Sequence, residues 1–398
     1  MDQIKVENLY KIFGKNPQQA YKLVQKGVSK DEILKKTGCT IGVNNASFNV
    51  KKGEFFVIMG LSGSGKSTLV RCINRLIEPT RGDVVIDDQN VTKLNSKDLR
   101  ELRKRKISMV FQHFGLLPHR NVLENVVFGL EIQGISRSER YEKAENAIQL
   151  VGLDGYQKSA VSNLSGGMQQ RVGLARAIAA DTELILMDEA FSALDPLIRT
   201  NMQDELLELQ SRMHKTILFI THDLDEALKL GDRIAIMKDG LIEQIDTPEQ
   251  ILISPASQYI ENFVENVDRS KIITAGTIMH RPDVVATHKD GPKSALRHMR
   301  QSGLSTLYVV DAQRALAGYI KIDDAVEASK NHVTSLEPIL NKDVPTTSAD
   351  TPLIDLLNIA SETTRPIVVT NDSDHIKGIV TRTGILAALA GESLENEN

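Results

Sequence analysis

The chain lacks any run of about 18 uncharged apolar residues, which excludes a membrane-spanning helix of the usual kind. Its first residues, Met1-Asp2-Gln3-Ile4-Lys5, hold no apolar signal core, so a soluble or peripheral protein is expected. Cysteine is scarce. Cys39 and Cys72 are the only two, too far apart for a metal-ligand spacing, and they predict buried free thiols in a reducing compartment. An excess of positive charge is missing too, since 48 Lys and Arg stand against 52 Asp and Glu for a net charge of −4. That balance argues against bulk nucleic-acid binding. At 398 residues the chain exceeds what one hydrophobic core supports, so two or more domains are expected.

Against these absences stands one dense stretch, Gly60-Leu61-Ser62-Gly63-Ser64-Gly65-Lys66-Ser67-Thr68, between the apolar run Phe55 to Met59 and the helical pattern Leu69 to Ile77. Strand, glycine-rich turn and helix in that order make a phosphate-binding loop: backbone N–H groups and a helix N-terminus converge on an anion. Lys66 would reach the β- and γ-phosphates, and the Ser67 hydroxyl would ligate Mg²⁺.

Residues 3 to 13 alternate like a strand, and 16 to 37 read as two inserted helices. The first opens on Asn16-Pro17, and the second on a capping box at Ser29 to Glu32. Two strands resume from 43 to 60. The basic helix Leu99 to Lys106 is better read as a solvated face than as a nucleic-acid surface. Residues 120 to 155 are helical. Glu183 to Glu189 and Thr216 to His222 are apolar without alternation, as parallel strands buried on both faces are, and Leu197 to Met213 is the helix joining them. Beyond about residue 265 a repeat emerges. Leu307 to Asp311 leading to Gly318-Tyr-Ile matches Pro366 to Thr370 leading to Gly378-Ile-Val, each copy following an amphipathic helix (292 to 301; 352 to 361) and preceding another.

Leu164-Ser165-Gly166-Gly167-Met168-Gln169-Gln170-Arg171 precedes a helix and again aims N–H groups at an anion. Alone it is also how a capped helix begins. Joined with Gly60 to Thr68 and with Asp188-Glu189 at a strand end, it resembles the nucleotide-binding subunits of ATP-binding cassette (ABC) transporters over residues 3 to 263. The resemblance implies an α/β P-loop NTPase with a RecA-like, mostly parallel sheet, an antiparallel β subdomain and a helical subdomain at about 113–180, the whole spanning 1–265. It also implies ATP and Mg²⁺ as cofactors. Asp188 would hold Mg²⁺ with Ser67 and Gln112, Glu189 would be the general base, and His222 the switch histidine on the γ-phosphate. Ser165, Gly166, Gly167 and Gln169 of a second copy would cap the nucleotide held by Lys66, with Ser192 and Asp195 in a loop crossing the dimer interface. Adenine needs a flat partner; Phe13 is the first candidate and Tyr10 the second.

The insertion, Ile77 to Gly82, Asp188 to Pro196 and the paired repeats together resemble the subfamily that imports glycine betaine, proline betaine and related solutes. The implied setting is a homodimer at the cytoplasmic face of the membrane, on a permease fused to or paired with a substrate-binding domain. A soluble cassette ATPase, or an importer of an amino acid or choline, is the alternative. After a linker at 266–274, the repeats at 275–333 and 334–390 resemble cystathionine-β-synthase (CBS) domains, an α+β tandem module, ahead of a polar tail at 391–398. Their nucleotide-binding pattern is split: Gly318 to Asp324 keeps the acid, Asp324, and loses the hydroxyl, while Gly378 to Gly384 keeps the hydroxyl, Thr381, and loses the acid. Two signals therefore stay open. One is ionic strength, sensed by a basic helix carrying Lys293, Arg297, His298 and Arg300 that could dock on anionic lipid; the other is cyclic di-AMP.

Overall fold

The computed structural model describes residues 1–112, 114–192, 194–265, 267–282, 285–363 and 365–391; the polar tail after Gly391 lies outside them. The chain divides into two compact units, Met1–Pro248 with Ala256–Val264, and Glu249–Pro255 with everything from Glu265 onward. The sequence expectation runs the first domain to 265, with 249–255 inside it.

In the first unit a six-stranded sheet has the spatial order Leu241–Asp246, Arg233–Lys238, Phe55–Met59, Thr216–Thr221, Leu184–Asp188, Ile107–Val110. Every neighbouring pair is parallel except the first, a hairpin. Its turn, Asp239-Gly240, takes φ of 51° and 86°, the positive pair that a two-residue hairpin favours. Every residue of Phe55–Met59, Leu184–Asp188 and Thr216–Thr221 is buried, which is why these strands carry no polar alternation. Register sets the site. Met59 lies opposite Thr221, and Asp188 opposite Ile220, so three strands end at one carboxyl edge, where open α/β sheets bind ligands.

A second sheet, Thr40–Lys51, Asp2–Phe13, Arg81–Ile86 and Gln89–Asn90, is antiparallel. Phe48 from it stacks on Phe56 of the first sheet, centroids 5.2 Å apart and planes 2° from parallel. Both rings belong to one core that the two sheets share, each worth about 1.5–3 kcal/mol of burial. The insertion forms helices Pro17–Val24 and Lys30–Thr37, which bury Ala20 and Ile33 against Ile12, Cys39 and Ile41. Ser29 accepts from the Glu32 N–H, but the Glu32 carboxylate turns to Lys36 at 3.1 Å, so only half of the expected capping box forms. The basic helix is Ser96–Lys106, and two of its cations are engaged by other elements of the fold. Arg103 donates to the Asn74 and Arg75 carbonyls, and Lys106 pairs with Asp87 and Glu183. The helical stretch at 120–155 is two helices, Val122–Gln133 and Arg137–Leu150, separated at Gly134, whose φ of 81° ends the first.

The second unit holds two three-stranded sheets with identical pairing. Val285–Thr287 runs parallel to Thr306–Val310, which pairs antiparallel with Leu316–Lys321; Thr346–Ser348, Ile367–Thr370 and Ile376–Val380 repeat this. Val309 faces Gly318 in one copy and Val369 faces Gly378 in the other, so the repeat holds to the residue. Tyr308 and Tyr319 of the first copy pack with Val368 of the second, and the Tyr308 hydroxyl donates to the Pro366 carbonyl at 3.1 Å.

Candidate functional site

The loop after Phe55–Met59 depends on glycine at two points. Gly60 and Gly65 take φ of 150° and 105°; a Cβ on Gly60 would stand 2.2 Å from the Met237 carbonyl oxygen, and one on Gly65 2.1 Å from that of Gly42. Gly65 is also the N-cap of Lys66–Ile73 and brings no side chain to it, so the first N–H groups of that helix are left for an anion. Gly63 turns the loop at φ 80° between the exposed Ser62 and the buried Ser64, whose hydroxyl has no partner. Lys66 is only 4% exposed, and its Nζ donates to the Gly60 and Leu61 carbonyls at 2.7 and 3.1 Å. Burial pushes its pKa down, opposed by the carboxylates of Glu189 and Asp188.

Asp188 is fully buried at the end of its strand. One carboxylate oxygen accepts from the Ser67 hydroxyl at 2.7 Å and the other from Arg71 at 3.1 Å. The next residue, Glu189, has φ 47°, a left-handed conformation that costs a non-glycine residue about 1–3 kcal/mol and is typical of functional sites. Its N–H donates to the Ile220 carbonyl. Its Oε2 accepts from Gln112 Nε2 at 2.9 Å and lies 3.5 Å from His222 Nδ1. Lys66, Ser67, Gln112, Asp188, Glu189 and His222, expected together from sequence, therefore meet at one edge. No group of three or more His, Cys, Asp or Glu able to hold a metal occurs among the described residues. A cation at Ser67 and Asp188 would need phosphate oxygens to fill its shell. Mg²⁺ is bound in that manner, so donor set and loop fit a Mg²⁺–nucleotide.

Other expected residues stand around this cluster. The Phe13 ring is 40% exposed. A Cβ built on Gly42 would meet it at 2.8 Å and Thr68 at 3.1 Å, which places the ring beside the phosphate loop. Lys11 Nζ lies 4.8 Å from its centroid. Tyr10 is instead engaged edge-on by Tyr21 of the insertion, centroids 5.0 Å apart. Ser165, Gly166 and Gly167 open the helix Gly166–Ala179, with Ser165 as N-cap to Met168. Among the described residues no hydrogen bond or ion pair joins them to the cluster. Gln169 donates to the Val161 and Leu164 carbonyls, both at 3.1 Å, so its amide braces its own loop. Ser192 donates to the Glu189 carbonyl at 3.0 Å, and Asp195 caps the helix Pro196–Met213; Ala193 between them lies outside the described residues. In the second unit Lys293, Arg297 and Arg300 form an exposed stripe with His298 half-buried beside it. Asp324 lines an open cleft of ≈ 670 Å³ with Glu327, Asn331, Asn341 and Lys342. Thr381 accepts from the Gly384 N–H as the N-cap of Arg382–Ala390.

Arg71 was missed by sequence reasoning, although Ser67 and Arg71 are spaced i, i+4 on one helix and so share a face. Arg199, Asp223 and Glu226, described below, carried no such signal.

A phosphate loop, an acidic strand end and a histidine after the next strand of a parallel sheet, with a second Ser-Gly-Gly helix start apart from them, define an ATP-binding cassette. Residues 43–192 match the ABC transporter family, and 275–331 and 336–391 match the CBS domain. The glycine betaine/carnitine transport ATP-binding protein GbuA of Listeria monocytogenes is 55% identical over 394 residues, covering 99% of both chains. The glycine betaine transport ATP-binding protein OpuAA of Bacillus subtilis is 53% identical over 98% of this chain and 93% of its own. The chain thus belongs to the ABC transporter family, as an ATP-binding subunit with paired CBS domains. Among solved structures, the dimeric ATP-binding cassette MJ0796 bound to ADP and Pi superimposes with a TM-score of 0.54 at 32% identity, over 62% of this chain and 98% of that one.

Proposed function

We propose that this chain is the ATP-hydrolysing subunit of an importer for glycine betaine or a related quaternary-ammonium solute. The solute follows from its likeness to GbuA and OpuAA along nearly the full chain. The chemistry rests on one observation, the meeting of Lys66, Ser67, Gln112, Asp188, Glu189 and His222 at one sheet edge. Lys66 and the N–H groups of 62–68 bind the phosphates, and Ser67 with Asp188 and Gln112 holds the cation. Mg²⁺ there supplies charge neutralisation at the β- and γ-phosphates. Glu189 takes the proton of the attacking water on its carboxylate, Gln112 fixes that carboxylate by its 2.9 Å hydrogen bond, and His222 faces the γ-phosphate. Phe13, rather than the covered Tyr10, stacks on adenine. Ser165 to Gly167 of a second copy complete the site, and the loop carrying Ser192 and Asp195 crosses between the copies.

Beside Gln112 lies a cleft of ≈ 310 Å³ lined by Phe111, Phe128, Ile132, Gln133 and Arg176 among others. We assign it to the permease. Among the described residues no helix is long and apolar enough to cross a membrane, so attachment to the cytoplasmic face would run through that partner. The second unit regulates transport. The exposed stripe of Lys293, Arg297 and Arg300 favours ionic strength as its signal, since contacts of exposed charges weaken with salt. Co-expression with a permease and uptake of labelled glycine betaine into proteoliposomes, with Glu189→Gln as the inactive control, tests the whole. Uptake of an amino acid or choline but not betaine refutes the solute, and ATPase activity with no co-purifying permease returns the soluble alternative.

A further inference from the structure

Behind His222 lies a charged network that the mechanism above does not use. Glu226, on the short helix that follows the switch, is a carboxylate only 5% exposed. Its Oε2 accepts from the Thr221 hydroxyl at 2.6 Å, and its Oε1 from Gln203 at 3.2 Å. Burial pushes its pKa up. Thr221 directly precedes His222, and its hydroxyl oxygen also accepts the Asp223 N–H at 3.0 Å. The switch histidine is therefore bracketed by two residues tied to one buried oxygen centre.

The cation of this network comes from another element. Arg199, in the first turn of Pro196–Met213, donates one terminal nitrogen to Asp223 at 3.2 Å and the other to the Leu194 carbonyl at 3.2 Å. Its Nε is buried and stands 3.8 Å from Glu226, an ion-pair distance rather than a hydrogen bond. A planar guanidinium holds its donors in a rigid fork spread over three nitrogens, whereas a lysine's donors all radiate from one nitrogen on a flexible stem. Leu194 belongs to the loop of Ser192 and Asp195, and its side chain lies 3.2 Å from where a Cβ on Gly167 would stand. One arginine thus touches both the interface loop and the switch.

We propose that Arg199, acting through Asp223 and the Glu226–Thr221 pair, is a positioning residue that transmits the placement of the interface loop to His222 of the same chain. This rests on the reading of His222 as a phosphate contact. Closure of two copies would then set both the loop and the histidine, and a half-assembled site would leave His222 out of register.

The test is a double-mutant cycle on the full-length chain, reading kcat and KM for ATP together with binding of a fluorescent ATP analogue. Arg199→Met is expected to lower kcat by about 10- to 100-fold with the analogue's affinity unchanged, since misplacing a reacting group by about 1 Å costs up to about 10²-fold. In a His222→Ala background the same change should add less than about 2-fold, because the group it positions is gone. Asp223→Asn guards against misfolding: asparagine caps a helix as well as aspartate does, so the fold is kept while the charge facing Arg199 is lost. It should lower kcat in the same direction, and Arg199→Lys should restore only part of the activity. Full additivity of Arg199→Met and His222→Ala, or normal kcat in Asp223→Asn, overturns the coupling and leaves the site intact. Wild-type activity of His222→Ala alone overturns both the coupling and the reading of the switch.

Discussion

Replacing Glu189 with glutamine removes one proton acceptor and almost no volume. The amide still accepts the hydrogen bond from Gln112, made at 2.9 Å in the native chain, so the neighbouring side chains have no reason to move. Loss of a general base costs about 10²- to 10⁴-fold, or about 2.7–5.5 kcal/mol on the barrier. Binding should move the other way. At a separation on the order of 6 Å and a water-like dielectric, removing one negative charge relieves about 0.7 kcal/mol of repulsion with a phosphate, roughly 3-fold in affinity. The assay pairs steady-state phosphate release with equilibrium binding of a fluorescent ATP analogue, followed by size-exclusion chromatography with ATP. Hydrolysis should fall at least about 100-fold, binding should tighten, and a nucleotide-dependent dimer should accumulate. Hydrolysis within about 5-fold of wild type, or weaker binding, would refute the assignment of Glu189 as base.

Gly65→Ala puts a methyl group 2.1 Å from the Gly42 carbonyl oxygen at φ 105°, so binding of the ATP analogue should be lost and stability reduced by more than about 2 kcal/mol in thermal melts. Phe13→Ala removes a stacking surface worth about 1–3 kcal/mol, and KM for ATP should rise about 5- to 150-fold with kcat nearly kept. Ile132→Asp, at a cleft residue that is 51% exposed, should leave soluble ATPase activity intact while permease recovery in co-purification falls. Lys106, and then Lys52, holds the Glu183 carboxyl down from 4.5 to about 2. A depressed folded pKa contributes stability above 4.5 that is lost as pH falls towards 2. The side chain is 39% exposed, so screening limits the gain to less than about 1 kcal/mol. Glu183→Gln should lower the melting temperature by a few degrees at most at pH 7, and that gap should close across the acid window; a constant gap refutes the linkage.

Much of the cassette was legible because its signals are local. A strand buried on both faces reads as an unbroken apolar run, and a phosphate loop needs glycine where the backbone meets Met237 and Gly42. The repeat was legible through its hairpins and helices, but Val285–Thr287 and Thr346–Ser348 were not, because three residues are too few to show alternation. Ser29 to Glu32 matched a capping box in sequence, yet Lys36 one turn on competes for the carboxylate. Gln169, expected from sequence at the nucleotide of a second copy, donates its amide to carbonyls of its own loop, a contact no motif signals. The Arg199 to Asp223 contact spans 24 residues and joins two elements, so only the folded sheet reveals it.

The path of the chain between the two units matters to anyone who cuts it. Glu249–Pro255 clusters with the repeats, and Ala256–Val264 returns to the cassette before the chain leaves for good at Glu265. Arg269, just past that point, donates to the Leu252 carbonyl at 3.0 Å, and Leu252 and Ile251 are almost wholly buried. Its guanidinium also lies against Gly391 at the end of the last described helix. A stop codon placed after residue 265 is therefore not a clean excision: it strips Arg269 from a segment that stays behind. The resulting protein would confound a lost signal with an apolar wound, and point changes within the repeats are the sounder way to silence them.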